Sequence, residues 1–137
     1  MSTCPYCDGR AETIIWRSDL CRVIEVEDSG FTGWCRVVWN GHVKELTDLS
    51  ADERRHLMDV VFAVESGLRM LLRPKKINLA SLATALPHVH WHIVPRFADD
   101  SHFPEPIWAE RQRASASRPK PADFVQSMHA HIERYLG

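Results

Sequence analysis

Short runs of apolar and β-branched residues in the first part of the chain predict an antiparallel sheet. Residues 20–26 and 34–39 are two such runs, and the turn-forming residues between them indicate that they pair as a hairpin. A shorter run at residues 13–16 predicts a strand before this hairpin. Residues 77–82 and 88–94 are the remaining strand candidates, so we expect a sheet of about five strands.

Two other segments repeat apolar residues every three or four positions, which is typical of amphipathic helices. The longer one begins at Ser50, where Ser50 and Glu53 match a capping box that would bind two backbone N–H groups. It ends before Pro74, because proline has no N–H with which to continue the helix. The second helix is predicted over residues 123–136. Strands, one long helix, more strands and a C-terminal helix together predict an α+β fold.

The chain is expected to form a single domain over residues 1–137, because this length is typical of one domain and no internal repeat divides it. The hydrophobic fraction of 45% and the charged fraction of 26% are ordinary for a folded globular chain. Residues 110–122 are basic and rich in serine, alanine and proline, and we predict a mobile loop there.

The charge balance excludes two classes of partner. The chain has 17 Lys and Arg residues against 18 Asp and Glu residues, so bulk charge cannot attract nucleic acid or a membrane surface. No apolar run approaches the roughly 18 residues of a membrane span, and the polar N-terminus does not resemble a signal peptide. We therefore expect a cytoplasmic protein without nucleic-acid or membrane partners.

Three histidines alternate along the last predicted strand. Because successive side chains of a strand point to opposite faces, His88, His90 and His92 should share one face, and Trp91 should pack on the core. Two functional interpretations are open at this point. Neighbouring imidazoles can chelate a catalytic metal. Alternatively, an imidazole that is neutral at pH 7 can attack phosphorus while its neighbours hold phosphate oxygens.

This histidine segment and its surroundings resemble the histidine triad (HIT) family of proteins. Residues 88–96, with alternating histidines followed by Pro-Arg, are similar to the family's signature. Residues 39–49 are similar to the strand, histidine and helix entry of the family. The resemblance covers roughly residues 4–108 and is greatest to bacterial members that are similar to diadenosine tetraphosphate hydrolases. It implies a HIT-like fold.

The resemblance also implies an enzyme, a nucleotide hydrolase or nucleotidyl transferase. It would act at the α-phosphate of a dinucleoside polyphosphate, such as diadenosine tetraphosphate, or of a nucleoside phosphoramidate. By position in the signature, His90 is the nucleophile that forms a nucleotidyl-histidine intermediate. His92 holds phosphate oxygens or orients the nucleophile, and His88 has a supporting catalytic role. Such a mechanism requires no cofactor in the chemical step.

Two alternatives from other classes stay open beside this enzyme. One is a non-catalytic, nucleotide-binding regulatory module on the same fold. The other is a metal-dependent hydrolase that uses the histidine strand as ligands. Turnover of a nucleotide would argue against the first alternative, and turnover after metal removal would argue against the second.

Four further residues are candidates for contacts with the nucleotide. The resemblance places Asn78 and Trp108 near the nucleotide. Ala83 and Thr84 stand where many members carry a Gly-Gln or Gly-Asn pair, which leaves the Thr84 hydroxyl as the candidate phosphate donor. Asp28, in the loop between the first two clear strands, is a candidate ribose ligand or an ordinary turn residue.

A C-x-x-C motif at the start of the chain raises the question of zinc. Taken alone, Cys4 and Cys7 are half of a zinc site or a pair of ordinary thiols. In several bacterial HIT proteins, two cysteines and two histidines bind a structural zinc, and the matching set here is Cys4, Cys7, His42 and His88. The resemblance further implies a homodimer, since most compact HIT proteins pair into one continuous sheet.

Overall fold

One five-stranded sheet is the framework of the molecule, in a computed structural model that describes residues 4–27, 29–115 and 118–137. Its strands are β1 (Thr13–Arg17), β2 (Cys21–Glu25), β3 (Cys35–Trp39), β4 (Lys76–Ala80) and β5 (His90–Arg96). All neighbouring strands are antiparallel, and they lie in the order β1-β2-β3-β5-β4, so β1 and β4 are the edges. The predicted antiparallel sheet of about five strands is confirmed.

Three α-helices accompany the sheet in the described residues, namely α1 (Pro5–Asp8), α2 (Ala51–Leu72) and α3 (Phe124–Leu136), and a 3₁₀ helix at Leu46–Asp48 precedes α2. The predicted capping box is present, because the Ser50 hydroxyl accepts from the Glu53 N–H and the Glu53 carboxylate accepts from the Ser50 N–H. Helix α2 stops at Arg73, which has a left-handed φ of 49°, directly before Pro74. The α+β fold is thus confirmed, with α1 as a further helix too short to show a repeat.

Helices α2 and α3 cover one face of the sheet and form the main core with it. That core includes Val23, Val37, Leu57, Val61, Leu68, Ile93, Phe124, Met128 and Ile132. Trp91 is half-buried against the same cluster, as the alternation along the histidine segment predicts. On the opposite face, the described residues form a smaller cluster of Tyr6, Ile24 and Val38. None of the described helices is both long and apolar enough to cross a membrane.

The strand register places the histidines on the face that α2 and α3 leave uncovered. Arg36 of β3 lies opposite His92 of β5, and Val38 lies opposite His90. The two histidines alternate with Trp91 and Ile93, which point into the main core. A functional group on this face is therefore held by the central strands of the sheet while its side chain stays outside the core.

The histidine strand begins later than its sequence pattern predicts, at His90. The Val89 N–H donates to the Val43 carbonyl (2.8 Å), and the Trp39 N–H donates to the Val89 carbonyl (3.1 Å). These bonds keep the segment before β5 beside the end of β3 but outside the regular ladder. His88 therefore lies in a different environment from His90 and His92.

The segment between β5 and α3 forms turns and loops at residues 97–115 and 118–123. The Asp100 carboxylate organises its start by accepting from the backbone N–H of Phe103 (2.7 Å). Within the basic stretch at 110–122, Arg118 pairs with Asp99 (2.8 Å). Lys120 pairs with the buried carboxylate of Glu25. The described part of this stretch is thus attached to the domain at two points, while its mobility stays a prediction.

Candidate functional site

His90 is held in one tautomer by the backbone. Its Nδ1 lies 2.7 Å from the carbonyl oxygen of His88. Because a carbonyl only accepts, the proton must be on Nδ1, and Nε2 is left with a lone pair. The side chain is 4% exposed, so the ring is fixed by packing as well as by this bond. The arrangement turns His90 into a positioned neutral base or nucleophile.

His92 is held in the opposite tautomer. The indole Nε1–H of Trp34 (3.3 Å) and the Nε–H of Arg36 (3.2 Å) both point at its Nδ1. Both groups can only donate, so Nδ1 accepts and the ring proton is on Nε2. The two imidazole centroids are 4.9 Å apart. Neighbouring rings thus carry one lone pair and one N–H donor, which suits attack at a phosphorus with support of its oxygen.

Burial keeps both rings neutral near pH 7. Burial lowers the pKa of His90, and the neighbouring Arg36 charge contributes in the same direction. Burial, with the charges of Arg36 and His90, lowers the pKa of His92 to about 4. Neither ring needs a change of protonation before it can act.

The two cysteines and two histidines predicted from the sequence as zinc ligands meet at the end of β3. The Nδ1 of His88 lies 3.4 Å from the Sγ of Cys4, 3.6 Å from the Sγ of Cys7 and 3.2 Å from the Nδ1 of His42. The Sγ of Cys7 lies 3.3 Å from the same His42 atom. All four ligand atoms lie within 4.8 Å of one another.

The spacing of this cluster fits a tetrahedral metal. Zinc bonded to two sulfurs and two nitrogens would set neighbouring ligand atoms about 3.3 to 3.8 Å apart. The Nε2 of His88 also lies 2.5 Å from the Trp39 carbonyl, so Nε2 carries the proton and Nδ1 offers its lone pair to the cluster. The donor set, its spacing and this outer hydrogen bond therefore all fit a structural zinc.

The C-x-x-C segment also brings a third aromatic ring to the site. The ring of Tyr6, in α1, lies 4.8 Å from the His90 ring and 5.6 Å from the His88 ring. Its hydroxyl accepts from the Nη1 of Arg36 (3.0 Å). Sequence reasoning missed Tyr6, Trp34 and Arg36. The one available signal was Arg36, a charged residue alternating with apolar residues in a predicted strand.

Three of the predicted nucleotide-binding residues, Asn78, Thr84 and Trp108, have no described contact with the three histidines, and their role stays a prediction. Asn78 lies on the histidine face of the sheet, but its Oδ1 accepts from the Nη1 of Arg96 (2.7 Å). The Thr84 hydroxyl donates to the Leu82 carbonyl (3.0 Å), and Trp108 is 61% exposed. Among the described contacts, none joins Thr84 or Trp108 to the triad. Asp28 lies outside the described residues.

Comparison with known proteins agrees with the geometry. The HIT domain family model matches residues 10–99, which is more than half of the chain. The chain therefore belongs to the HIT, or histidine triad, domain family. Proteins of this family bind nucleotide substrates, and the family includes hydrolases and transferases. A comparison with curated protein sequences finds no match.

Solved structures share the fold over most of the chain. A histidine triad protein from Bradyrhizobium japonicum is 24% identical, with a TM-score of 0.71 over 94% of this chain and 93% of that chain. A histidine triad protein from Marinobacter aquaeolei VT8 is 21% identical, with a TM-score of 0.74 over 93% of each chain. A zinc-bound histidine triad family protein from Mycobacterium smegmatis is 20% identical, with a TM-score of 0.66 over 96% and 94%.

Proposed function

We propose that this protein is a nucleotide hydrolase that acts at an α-phosphate through a histidine nucleophile. The observation that carries the proposal is the pair of opposite tautomers. His90 presents an Nε2 lone pair, and His92 presents an Nε2–H, on rings 4.9 Å apart. A phosphoryl group needs both, because phosphorus accepts electrons while its oxygens accept hydrogen bonds.

The chemistry would take two displacements at phosphorus. The Nε2 lone pair of His90 forms a bond to the α-phosphorus, and the bond to the leaving group breaks with its electron pair. The nucleotidyl ring is then positively charged, and its Nδ1–H remains bonded to the His88 carbonyl, which stabilises that charge. Water then attacks the phosphorus and releases its proton to the solvent. The P–N bond breaks with its electron pair returning to Nε2, which releases a nucleoside monophosphate and restores neutral His90.

A metal-dependent hydrolase that uses the histidine strand is less well supported by the geometry. Nδ1 of His90 faces a carbonyl, and Nδ1 of His92 faces an indole N–H and the Arg36 guanidinium. A cation bound between these two rings would be repelled by the fixed charge of Arg36. Among the described residues, the grouped metal-ligand candidates are Cys4, Cys7, His42 and His88, of which only His88 belongs to the triad.

The substrate class we favour is a dinucleoside polyphosphate similar to diadenosine tetraphosphate, with nucleoside phosphoramidates as the second class. The branch of the family that the sequence resembles supports this choice. A panel that compares diadenosine tetraphosphate with an adenosine phosphoramidate, each with and without a chelator, would rank the two leaving groups. No turnover of either compound would favour the regulatory nucleotide-binding module instead.

The mechanism is tested by trapping its intermediate. Wild-type protein mixed briefly with a substrate from this panel, labelled in the nucleotide, and quenched at alkaline pH should retain acid-labile label. Mass spectrometry should locate the nucleotidyl group on the peptide that contains His90. The variant His90→Asn should bind the nucleotide but retain no label. Equal labelling of both proteins would contradict the assignment of His90.

The same family resemblance, together with the donor cluster, supports a structural zinc at Cys4, Cys7, His42 and His88. The Mycobacterium smegmatis neighbour is a zinc-bound member of the family. In this proposal the zinc attaches the N-terminal segment to the end of β3. It has no role in the displacement steps, which are carried out by His90 and His92.

A further inference from the structure

Three arginines on the sheet face that carries the histidines are buried or half-buried, while the fourth, Arg17 at the end of β1, is exposed. Arg22 is opposite Val38, Arg36 is opposite His92, and Arg96 follows two positions after Val94 on the same face of β5. A buried arginine is unusual, since burial of a charge is costly unless the charge is paired. The partners of each arginine therefore indicate its purpose.

Two of these arginines are neutralised within the protein. Arg22 binds both carboxylate oxygens of Glu12, at 2.6 and 2.7 Å. Arg96 binds both carboxylate oxygens of Asp100, at 2.9 and 3.0 Å. Such two-point pairs are the strong form of the arginine-carboxylate interaction. The charges of Arg22 and Arg96 are therefore balanced inside the protein, and neither arginine needs an anionic ligand.

Arg36 differs, because no carboxylate pairs with it in the described part of the chain. Its Nε donates to Nδ1 of His92 (3.2 Å), its Nη1 donates to the Tyr6 hydroxyl (3.0 Å), and its Cζ lies 5.2 Å from the Trp34 ring centroid. A tyrosine phenol is neutral near pH 7, so the Tyr6 hydroxyl supplies no counter-charge. Nη2 has no hydrogen-bond partner among the described residues.

The half-buried guanidinium of Arg36, which has no carboxylate partner in the described residues, is suited to binding an anionic ligand. Three neighbours hold the guanidinium in place, so little conformational entropy would be lost when it binds. The planar group offers its remaining N–H donors to oxygens of a phosphate, and such charge-assisted bonds are about twice as strong as neutral ones. The position directly beside His92 places this charge next to the pair of histidines that we assign to the displacement.

We infer that Arg36 is a phosphate-binding residue of this site: its guanidinium contacts a non-bridging oxygen of the bound nucleotide while its Nε–H keeps His92 in the donor tautomer. This inference rests on the proposed function, since it requires a nucleotide phosphate at His90 and His92. Tyr6 has a positioning role in this inference, because its hydroxyl accepts from Nη1 and so orients the guanidinium.

The test compares two probes that differ only in the phosphate, AMP and adenosine, by titration calorimetry on the purified full chain. Arg36→Gln should weaken AMP binding by roughly tenfold to a hundredfold, as expected for loss of a charged hydrogen bond. Adenosine binding should change by less than about twofold, because the nucleoside does not reach this charge. Arg36→Lys should retain part of the AMP affinity, since it keeps the charge without the planar fork.

Two controls make the result decisive. Arg55→Gln removes an equal charge from the exposed surface of α2 and should leave both affinities unchanged. Tyr6→Phe keeps the ring and removes only the hydroxyl, so it should weaken AMP binding by a few-fold with adenosine unchanged, even if Arg36→Gln fails to fold. If Arg36→Gln weakened the binding of AMP and of adenosine equally, or did not weaken AMP binding at all, Arg36 would not be a phosphate-binding residue. Either result would leave the proposed function in place. A wild-type protein that binds neither AMP nor adenosine would overturn the proposed function as well.

Discussion

At the scale of single residues, the contacts of two imidazoles define different tasks. The backbone carbonyl of His88 leaves His90 with a lone pair, whereas Trp34 and Arg36 leave His92 with a proton. Neutral histidines on an ordinary strand would exchange between tautomers. The hydrogen-bond donors and acceptors around His90 and His92 fix one tautomer for each ring in the absence of a ligand.

The first residue-scale prediction separates these tasks by mutation. His90→Asn should lower kcat by about a thousandfold or more, because the covalent step is lost. His92→Ala should cost less, on the order of a hundredfold, since it removes one donor to the developing charge. Steady-state kinetics on a substrate of the wild type measures both changes. A near-normal rate for His90→Asn would contradict the nucleophile and favour the metal-dependent alternative.

The second residue-scale prediction concerns pH. Both histidines must be neutral to act, and burial lowers the pKa of each, so protonation should abolish activity only below the ordinary histidine range. The acidic limb of kcat/KM should therefore lie below pH 6.5, the unshifted value. Arg36→Gln removes a charge that lowers both pKa values, so its acidic limb should move to higher pH. An acidic limb at or above pH 6.5 in the wild type would contradict the burial argument.

At the scale of elements, the short α1 segment connects the cluster of Cys4, Cys7, His42 and His88 with the histidine site. Cys4 and Cys7 flank Tyr6, whose ring contacts His90 and whose hydroxyl holds Arg36. A four-residue helix cannot hold such a position by itself. Its attachment to His42 and His88 therefore determines where Tyr6 lies.

The prediction for this element is that zinc copurifies with the protein, one ion per chain. Cys7→Ser should lose the zinc and lower the Tm by at least about 5 °C, which corresponds to roughly 1–2 kcal/mol. Cys21→Ser is the matched control, because Cys21 is fully buried in the main core and should destabilise the protein while retaining zinc. Elemental analysis after purification without chelator measures the metal. Substoichiometric zinc in the wild type would contradict the site.

A second element, the turn before the triad, contains local strain. Ala83 has a φ of 37°, in the left-handed region that favours glycine. Ala83→Gly should therefore stabilise the protein by about 0.5–1 kcal/mol, although glycine adds some entropy to the unfolded chain. Urea unfolding with an unchanged m-value would measure the gain. A loss of stability would show that the alanine is accommodated without strain.

At the scale of the whole molecule, one edge of the sheet is suited to pairing with a second copy. The edge strand β4 adjoins a groove of about 780 Å³, whose apolar lining includes Leu46, Leu79, Leu82 and Trp91. Leu82 is 51% exposed, and the buried Nε1–H of Trp91 has no partner within the described chain. An apolar groove beside an unpaired strand edge favours the homodimer that the family resemblance implies.

The whole-molecule prediction is a dimer that depends on this edge. Sedimentation at micromolar concentration should give about twice the chain mass of 15.7 kDa. Leu82→Asp should shift the protein to the monomer, because a charge in the groove would lose its water on pairing. Leu20→Asp is the control, since Leu20 is also exposed but lies at the turn between β1 and β2, near the other edge. A monomeric wild type, or a monomer produced equally by both variants, would contradict the pairing edge.

The sequence alone determined the parts of this protein that depend on local order. The period of the apolar residues predicted the five strands and the long helix, and the capping box predicted the start of α2 at Ser50. The alternation of His90 and His92 with apolar residues predicted which side chains share a face. The motif of three alternating histidines was specific enough to indicate the HIT family, because this pattern is uncommon in strands of other proteins.

Only the tertiary structure decided which neighbours complete the site. Tyr6 and Arg36 are 30 positions apart in sequence, and Arg36 and His92 are 56 positions apart, so no local pattern relates them. Their contacts follow from the antiparallel register of β3 and β5 and from the fold of the N-terminal segment over the sheet. Tautomers and pKa values depend on such contacts, because each is determined by the donors, charges and burial around a ring. The sequence therefore predicted the candidate nucleophile, and the fold determined the state in which it is held.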